Sequence, residues 1–471
     1  MSTGFAAEVL LVGLVGLAAL LANRITQRLL IPAPALVLIG SAVAVAAVPG
    51  LDRPSQHAVD HVVTVALILV LFDGGMHIGW SRFSRALKPI LTVGVGGTFL
   101  TAAGATAVAH WLIGLDWYSA VLVATAIAPT DPAVVFSVLG KREIEGNTGT
   151  ILEGESGAND PVGIALMASL LSAGQLSGGA TGQVLGEFAL QMLVGAAIGI
   201  VGGRLITEFI SRVTLPSPAL HPVRTLACAF VLFGLAALLH GSGFLAVFVA
   251  GILIGDSELP YGREIEHVHS AAATLGEIVA FVALGLTVRL SELTHPGVWL
   301  AGLGLALVVT LLVRPALVGL CLVRSGLQRN ERLFVVLAGL KGAVPILLGT
   351  FLFNADLPNA ERLYGLVVIA VVFSVLIQGS TVPALARLLR IRMRTVELEP
   401  WTFGVRLQDE PAGRRELVVG SDLAGRSVSE LASSPFDLWI SVLIRNGRLV
   451  PLTAETVVEK GDRLLTTQLE E

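Results

Sequence analysis

Long apolar runs follow one another through the first 390 residues, and each run is long enough to cross a bilayer. A helix rises 1.5 Å per residue, so about 20 apolar residues span a hydrocarbon core about 30 Å thick. Hydrophobic residues make up 54% of the sequence and charged residues 14%, whereas roughly 25% of the residues of soluble domains are charged. We therefore predict an all-α polytopic membrane protein and exclude a soluble fold.

The apolar runs predict about thirteen transmembrane helices, of which the ninth is short. The predicted spans are 5–22, 29–49, 57–79, 88–113, 117–139, 151–173, 185–210, 222–240, 242–256, 271–290, 297–323, 332–353 and 362–386.

The loops between these spans differ in charge, and Lys and Arg concentrate in short cytoplasmic loops. Alternate loops, beginning after span 1, hold 18 Lys and Arg residues, and the opposite loops hold only Arg53, Arg289 and Arg362. This bias predicts an outer N-terminus, a cytoplasmic C-terminus and a place in the cell (inner) membrane. No basic patch indicates a nucleic-acid partner.

Two spans carry signals that break a helix. Span 5 contains Pro129-Thr130-Asp131-Pro132, and proline cannot donate a backbone hydrogen bond. Span 12 contains Leu340-Lys341-Gly342-Ala343-Val344-Pro345. If the spans divide as six, one and six, each break falls in the fifth helix of its half. Interrupted helices at matching positions are typical of secondary transporters with inverted repeats, although Gly and Pro are also frequent in membrane helices.

Four acidic side chains lie inside the apolar region, where an unpaired charge is costly and therefore indicates a functional site. These are Asp73, Asp131, Glu155 and Asp160. Ser156 and Asp160 are four residues apart on span 6 and share one helix face, and the same spacing relates Glu155 to Asn159. We predict a site built from spans 5 and 6.

Oxygen atoms at a helix break are suitable ligands for alkali cations. In this interpretation Asp160 supplies the charge, and Ser156 and Thr130 supply neutral oxygens. Asn159 either binds the ion or holds the two broken spans together by a hydrogen bond. Burial favours a protonated carboxylate and a bound cation favours the charged one, so proton and cation compete for one site. Lys341 is expected to offset one acidic charge, most simply by pairing with Glu155.

The motifs together resemble those of the NhaP and NHE-type cation:proton antiporters, over about residues 1–395. They are Phe72-Asp73-Gly74-Gly75, Thr130-Asp131-Pro132, Glu155-Ser156-Gly157-Ala158-Asn159-Asp160-Pro161 and Gly339-Leu340-Lys341-Gly342-Ala343-Val344-Pro345. The resemblance implies a dimer domain and a mobile core domain in which the broken helices of spans 5 and 12 cross. It also implies elevator-type alternating access.

The same resemblance assigns roles to residues. Asp160 becomes the principal carboxylate for cation and proton, and Asp131, Ser156, Thr130 and Asp73 surround the ion. Glu155 becomes structural and pairs with the basic residue of span 12, Lys341. The Asn159-Asp160 sequence, in place of two aspartates, implies electroneutral exchange of one proton per cation.

Two positions depart from the family pattern. Relatives usually have Arg at the position of Lys341, and Lys lacks the fixed bidentate fork of Arg. The position of Asp73 is often Glu, whose longer side chain reaches further, so direct contact between Asp73 and the ion stays open. His77, one turn after Asp73, is a candidate proton relay or an interfacial residue. Glu277 and Arg314 are a candidate structural pair.

The composition becomes polar after Arg394, which predicts a linker at 396–414 and a small α+β cytosolic domain at 415–471. Strands are predicted at 416–419, 437–445, 448–452 and 463–467, with Asn446-Gly447 as a two-residue hairpin turn. Gly425 to Leu431, Ile444 to Gly447 and Gly461-Asp462 make this domain similar to the RCK-C (TrkA-C) domain. The similarity implies either a regulatory ligand or a dimerisation module.

Antiporters with such a tail resemble the bacterial potassium:proton or cell-volume type, which favours K⁺ over Na⁺. The alternative is Na⁺/H⁺ exchange without K⁺ transport. A regulated cation channel is a distant alternative, because the chain lacks a carbonyl-filter sequence of the Thr-Val-Gly-Tyr-Gly kind. A membrane hydrolase would need a nucleophile with a base and an oxyanion loop, and the sequence shows no such set of residues. We predict a homodimeric secondary transporter without a cofactor or a bound metal beyond the transported cation.

Overall fold

Helices account for almost all of the regular structure between residues 33 and 388. The computed structural model describes residues 16–17, 32–47, 54–140, 142–175, 178–213, 215–257, 259–289, 296–355, 357–395, 414–432, 438–445 and 448–468. The chain divides into two units, Met1–Val396 and Glu397–Glu471.

The first unit consists of helices joined by short connections. The helices up to the middle of the unit are α1 Ala33–Ala47, α2 Gln56–Arg85, α3 Leu87–Ile113, α4 Trp117–Ile127, α5 Pro132–Leu139, α6 Asn147–Ala173 and α7 Gly178–Arg212. The later helices are α8 Leu220–Leu238, α9 Gly243–Gly255, α10 Gly262–Thr287, α11 Gly297–Cys321, α12 Arg329–Leu337, α13 Ala343–Asn354 and α14 Ala360–Leu388.

Eight of the described helices or helix pairs are long and apolar enough to cross a membrane, and α1, α9 and α13 are shorter apolar helices. Helix α6 has 27 residues and is almost entirely buried, but it is too polar to be one of the eight. Every predicted span from the second onward coincides with a helix or a pair of half-helices. The first, 5–22, lies outside the described residues except for 16–17, so the total of thirteen stays a prediction.

The turn between α3 and α4 shows how local sequence sets the helix ends. Gly114 ends α3 in the left-handed conformation, with φ of 77°, which glycine adopts without a Cβ clash. Asp116 then caps α4 by accepting a hydrogen bond from Ser119 N at 3.0 Å. Hydrogen bonding by Ser119 lowers the pKa of the Asp116 carboxyl.

The predicted breaks in spans 5 and 12 are both present. Helix α4 ends at Ile127 and α5 begins at Pro132, while α12 ends at Leu337 and α13 begins at Ala343. Pro132 opens α5, and Pro345 lies in the first turn of α13. Proline is tolerated at these places because the first N–H groups of a helix have no acceptor within it.

Three of the described helices each contain one π-helical turn. These turns are Thr92–Gly97 in α3, Val309–Val313 in α11 and Ser374–Gln378 in α14. Such turns often occur at functional sites because they change the direction of the side chains around them.

Two short strands join distant parts of the helical unit. Strand β1, Arg142–Ile144, follows α5, and β2, Met393–Thr395, follows α14. They pair antiparallel, with Arg142 opposite Thr395. The loop after α5 and the segment after α14 therefore lie on one side of the helices, as the alternation of basic loops predicts.

The second unit has one antiparallel sheet in the order β3-β6-β4-β5 and a short helix, α15. Their bounds are β3 Arg414–Val418, α15 Val428–Leu431, β4 Leu438–Arg445, β5 Arg448–Val450 and β6 Arg463–Gln468. All four predicted strands are present. Arg445 pairs with Arg448, so the hairpin connection has two residues, although Asn446 and Gly447 themselves lie outside the described residues.

Candidate functional site

The two helix breaks meet and satisfy each other's backbone groups. Asp131 N donates to Leu340 O at 2.8 Å. The Lys341 ammonium group donates to Ala128 O at 3.1 Å and to Pro129 O at 3.2 Å. Irregular backbone at membrane depth is tolerated only when its polar groups are satisfied by the protein or by enclosed water, and these contacts provide that satisfaction.

Asp131 and Lys341 also compensate the partial charges of the half-helices. The Asp131 carboxylate accepts from Ala133 N at 2.8 Å, at the start of α5, and from Ala343 N, at the start of α13. Helix N-termini carry a partial positive charge and C-termini a partial negative one. Asp131 thus lies at two N-termini, and Lys341 lies at the C-terminal carbonyls of α4. A side chain at Gly342 would overlap the Asp131 carboxylate.

Helix α6 places Asp160 against the point where the two helix breaks meet, which is called the crossing below. Asp160 is 7% exposed and accepts a hydrogen bond from Ser156, one turn earlier. Asp131 and Lys341 are charged groups that act on it electrostatically. The close approach requires Gly163, because a Cβ there would overlap the Pro129 ring.

Asn159 joins α6 to the first break. Its Nδ2 donates to Thr130 Oγ1 at 2.8 Å, and Thr130 N donates to Asn159 Oδ1 at 3.4 Å. The predicted bond that holds the two broken spans together is seen only for the first of them, because both of these bonds go to Thr130. Thr130 Oγ1 in turn donates to Glu155 Oε1 at 3.3 Å. The side chains of Asn159 and Thr130 therefore both bind protein groups.

The ion pair of Glu155 differs from the expected one. Arg314 Nη2 donates to Glu155 Oε1 at 2.5 Å, and both side chains are buried, at 3% and 2% exposure. Arg314 Nε also donates to Val336 O at 2.8 Å, in the last turn of α12. Among the described residues, Arg314 is the basic side chain at ion-pair distance from Glu155, and the predicted Glu155–Lys341 pair is wrong.

Glu155 pairs with Arg314 and not with Lys341 for a geometric reason. The guanidinium group of Arg314 can bind a carboxylate and a carbonyl at once, and Arg314 directly follows the π turn of α11. Lys341 is itself part of the second break, so its ammonium group meets the carbonyls of the first. The candidate pair of Glu277 with Arg314 is wrong for the same reason. The sequence signalled Arg314 as a charge inside an apolar span, but not its partner.

The π turn of α14 supports the second break. Lys341 N donates to Ser374 Oγ at 2.9 Å, and Ser374 Oγ donates to Gln378 Oε1 at 2.9 Å. Gln378 Nε2 donates to Leu337 O at 2.8 Å, at the end of α12. The backbone around Lys341 is therefore fixed by two side chains from another helix.

Asp73 has different partners from the other predicted site residues. Its Oδ1 accepts from Ser270 Oγ of α10 at 3.1 Å, and its Oδ2 lies 3.3 Å from His77 Nδ1, one turn along α2. Its contacts are therefore with α2 and α10. Thr130, Asp131, Glu155, Ser156, Asn159, Asp160 and Lys341 instead form one group at the crossing.

The sequence pattern described as "Sodium/hydrogen exchanger, transmembrane" matches residues 10–388. This chain belongs to that family. The resemblance predicted from the motifs is thus confirmed, and the protein is a transporter of the NhaP type and not an enzyme.

Relatives within this family carry different cation names. The chain is 32% identical over 390 residues to the K(+)/H(+) antiporter NhaP of Alkalimonas amylolytica, covering 82% of this chain and 67% of that protein. It is 30% identical over 461 residues to the K(+)/H(+) antiporter NhaP2 of Shewanella sp. (strain MR-4), covering 94% and 78%. It is 25% identical over 366 residues to the Na(+)/H(+) antiporter NhaH of Halobacillus aidingensis, covering 74% and 89%.

Among solved structures, the fold of this family member is similar to that of the sodium proton antiporter MjNhaP1 from Methanocaldococcus jannaschii at pH 8. The TM-score is 0.68 and the sequence identity 22%, and the match covers 81% of this chain and 100% of that one. The similarity confirms a polytopic helical membrane fold.

Proposed function

We propose that this chain exchanges a monovalent cation for H⁺ across the cell (inner) membrane, with K⁺ favoured and Na⁺ possible. The names of the relatives support cation:proton antiport, since two of those described are K⁺/H⁺ antiporters and one is a Na⁺/H⁺ antiporter. The observation that carries the proposal is the buried carboxylate of Asp160, beside the crossing of two broken helices.

The chemistry rests on competition at Asp160. Its carboxylate is held by the Ser156 hydroxyl and has no guanidinium group bound to it among the described residues. Either a proton or a desolvated cation can therefore neutralise it. Burial favours the proton, and a cation that finds oxygen ligands displaces it. Exposure of the site to each side in turn converts this competition into exchange.

The available ligands can be ranked by their contacts. Thr130 and Asn159 already bond to each other, and Thr130 also bonds to Glu155. Asp131 is engaged by the N-termini of α5 and α13. Asp160 and Ser156 are therefore the proposed first ligands, with Asp131 nearby to hold the ion by its charge. Asp73 is proposed to act at a greater distance from the ion than Asp160, where it contacts α10.

The proposed exchange is electroneutral, with one proton for each cation. Asn159 carries no charge and is used in joining α6 to the first break. Asp160 is therefore the only acid in the Asn159-Asp160 sequence, and it alternates between binding a proton and binding a cation.

The proposed movement is elevator-like, with the helices of the crossing moving against the others in the bilayer. Two hydrogen bonds of one side chain support a division into moving and fixed helices. Asp60, near the start of α2, accepts from Thr350 Oγ1 at 2.7 Å and from Asn354 Nδ2 at 2.9 Å, both on α13. These bonds link the half-helix that begins at the crossing to a helix outside it, and we propose that they open during the cycle.

The second unit is proposed as an RCK-C-like regulatory domain on the cytoplasmic side, formed by residues 415–471 after the 396–414 linker. Its sheet has a small core, consisting of Val419, Leu423, Leu431, Ile440, Leu443, Val458 and Leu464. Small cores often depend on a partner, which supports the proposed homodimer. A small regulatory ligand is the other role proposed for this unit.

Proton movement in everted membrane vesicles tests the proposed function. Respiration establishes a proton gradient, and KCl, NaCl or choline chloride is then added to vesicles with the parent chain or Asp160→Asn. We expect K⁺ to dissipate the gradient through the parent, choline to have no effect, and Asp160→Asn to be inactive although inserted. Dissipation by Na⁺ alone would select the Na⁺/H⁺ alternative. Equal activity of Asp160→Asn would contradict the proposed site.

A further inference from the structure

Glu277 on α10 is a half-buried acid that the site described above does not use. Its Oε1 is buried and has no hydrogen-bond partner among the described residues. Asp131 acts on it electrostatically, so its carboxyl group lies within the field of the crossing. A carboxyl group without a partner at membrane depth is costly and indicates a functional role.

A structural ion pair does not account for Glu277. The guanidinium group of Arg314 is engaged by Glu155 and by Val336 O. The ammonium group of Lys341 is engaged by Ala128 O and Pro129 O. Both buried basic groups near the crossing therefore have other partners. Among the described residues no basic side chain pairs with Glu277, which leaves a proton or a mobile cation to compensate its charge.

The position of Glu277 along α10 connects it to Asp73. Ser270, which donates to Asp73, precedes Glu277 by seven residues. Seven residues are two helical turns, so Ser270 and Glu277 share one face, about 10.5 Å apart along the axis. Between them Gly276 lets α10 pack closely on α2, because a Cβ there would lie 3.1 Å from Ala66 O.

The Asp73 end of this face leads to more exposed ionisable groups. His77 Nδ1 lies 3.3 Å from Asp73 Oδ2, and its Nε2 lies 4.0 Å from Glu266 Oε1. The His77 and Glu266 side chains are 44% and 59% exposed. Ionisable groups are thus spaced from an exposed surface, at Asp73, at the half-buried Glu277 and at Asp131.

We propose that Glu277 is a further cation- and proton-binding carboxylate, located on the path between Asp73 and the Asp131–Asp160 site. It holds the cation or the proton on the α10 side while Asp160 binds it on the α6 side. This inference rests on the proposed antiport function. It adds a binding residue on a helix that contributes none of the predicted ligands of the site.

The test compares the cation dependence of exchange in everted vesicles for the parent, Glu277→Gln, Glu277→Asp and a control, Glu208→Gln. Glu208 is an exposed acid of α7 that pairs with Arg212, so the control makes the same chemical change away from the path. We expect Glu277→Gln to raise the apparent KM for K⁺ or Na⁺ about tenfold, which corresponds to ~1.4 kcal/mol. Glu277→Asp is expected to lie between the parent and Glu277→Gln, and Glu208→Gln to match the parent. An unchanged KM in Glu277→Gln at both pH 6.5 and pH 8.5 would overturn the inference.

A second measurement separates this inference from the proposed function. Purified full-length chain is heated in KCl, NaCl or choline chloride, and the rise in Tm caused by the cation reports binding without exchange. We expect Glu277→Gln to lose most of that rise. If the parent is stabilised by the cation but exchanges no protons, the proposed function fails and this rise alone decides the role of Glu277. If Glu277→Gln does not fold, Glu277→Asp decides it, and a rise and KM equal to the parent's would overturn the inference.

Discussion

Glu155, Arg314 and Lys341 are buried at the crossing, and each has a defined partner. Glu155 and Arg314 form the most buried of these pairs. Removing one member of a buried pair leaves the other charge without compensation, which costs about 3–5 kcal/mol. The pair therefore connects α6, α11 and α12 and fixes the helix that carries Asp160.

Arg314→Leu tests this pair. We expect the free energy of unfolding to fall by about 3–5 kcal/mol, read as a lower Tm of the purified protein. Arg324→Leu, at an exposed position in the turn after α11, is the control and should change Tm little. Equal Tm values for both variants would show that the Glu155 pair does not stabilise the fold. Partial recovery in Glu155→Leu/Arg314→Leu would confirm the coupling.

The sequence allowed the residues of the crossing to be predicted better than their partners. Thr130, Asn159 and Asp160 could be identified because polar side chains are rare in apolar spans. A hydrogen bond from Asn159 was one of two predicted roles, but its partner Thr130 was not predicted, because Asn159 lies inside α6 and Thr130 in the first break. Arg314 and Lys341 were assigned the wrong partners, because a basic side chain in a membrane helix reaches several acids and the sequence does not show which is near.

At the scale of helices, the breaks were predictable and the π turns were not. Pro129, Pro132 and Pro345 remove backbone donors beside the breaks, although Pro161 lies inside α6 without interrupting it. The π turn Val309–Val313 contains neither proline nor glycine. Such a turn depends on how its helix packs against neighbouring helices, so the local sequence does not predict it.

Close packing of α6 on the first break depends on one glycine. A Cβ at Gly163 would overlap the Pro129 ring, whereas Gly186 on α7 has open space around it. We expect Gly163→Ala to push α6 away from the break and to reduce both Tm and exchange rate. Gly186→Ala should be neutral or slightly stabilising, because alanine is the better helix former. Wild-type exchange by Gly163→Ala would contradict the packing described here.

The sheet of the second unit has its own buried charge. Arg445 binds Asp462 through two bonds, Nε to Oδ1 at 3.0 Å and Nη2 to Oδ2 at 2.8 Å. These bonds lower the pKa of the Asp462 carboxyl from its ordinary 3.8. The folded unit therefore binds this proton less readily than the unfolded chain. The resulting stabilisation is present above pH 3.8 and is lost as the pH falls through the lowered folded pKa.

Asp462→Asn should accordingly weaken the second unit at neutral pH. We expect faster amide hydrogen exchange in β6 and β4 of the full-length variant than of the parent at pH 7. The difference should shrink as the pH is lowered below 3.8, because the parent then loses the same charge. A difference that stays constant over this range would show that the charge of Asp462 does not contribute.

At the scale of the whole chain, the order of spans followed from the apolar runs, because each helix must cover the thickness of the bilayer. Their pairing in space did not, because lipid-facing and protein-facing apolar residues look alike in sequence. The pairing of β1 with β2 is an example, since both strands have only three residues and lie about 250 residues apart.

Cysteine labelling tests the predicted topology. Arg142→Cys and Arg394→Cys are placed singly in a chain whose Cys228 and Cys321 are replaced by Ala. Because β1 and β2 pair, both positions should react with an impermeant maleimide in everted vesicles and neither in intact cells. Labelling of the two from opposite sides would contradict the strand pairing, and labelling of both in intact cells would reverse the predicted orientation.

The central claim is that a cation and a proton compete for Asp160, and cation-induced proton release measures it directly. KCl, NaCl or choline chloride is added to purified full-length protein in weakly buffered detergent solution near pH 7, and the pH is recorded. The account predicts release of about one proton per protomer by the transported cation, none by choline and none from Asp160→Asn. Undiminished proton release from Asp160→Asn would contradict it.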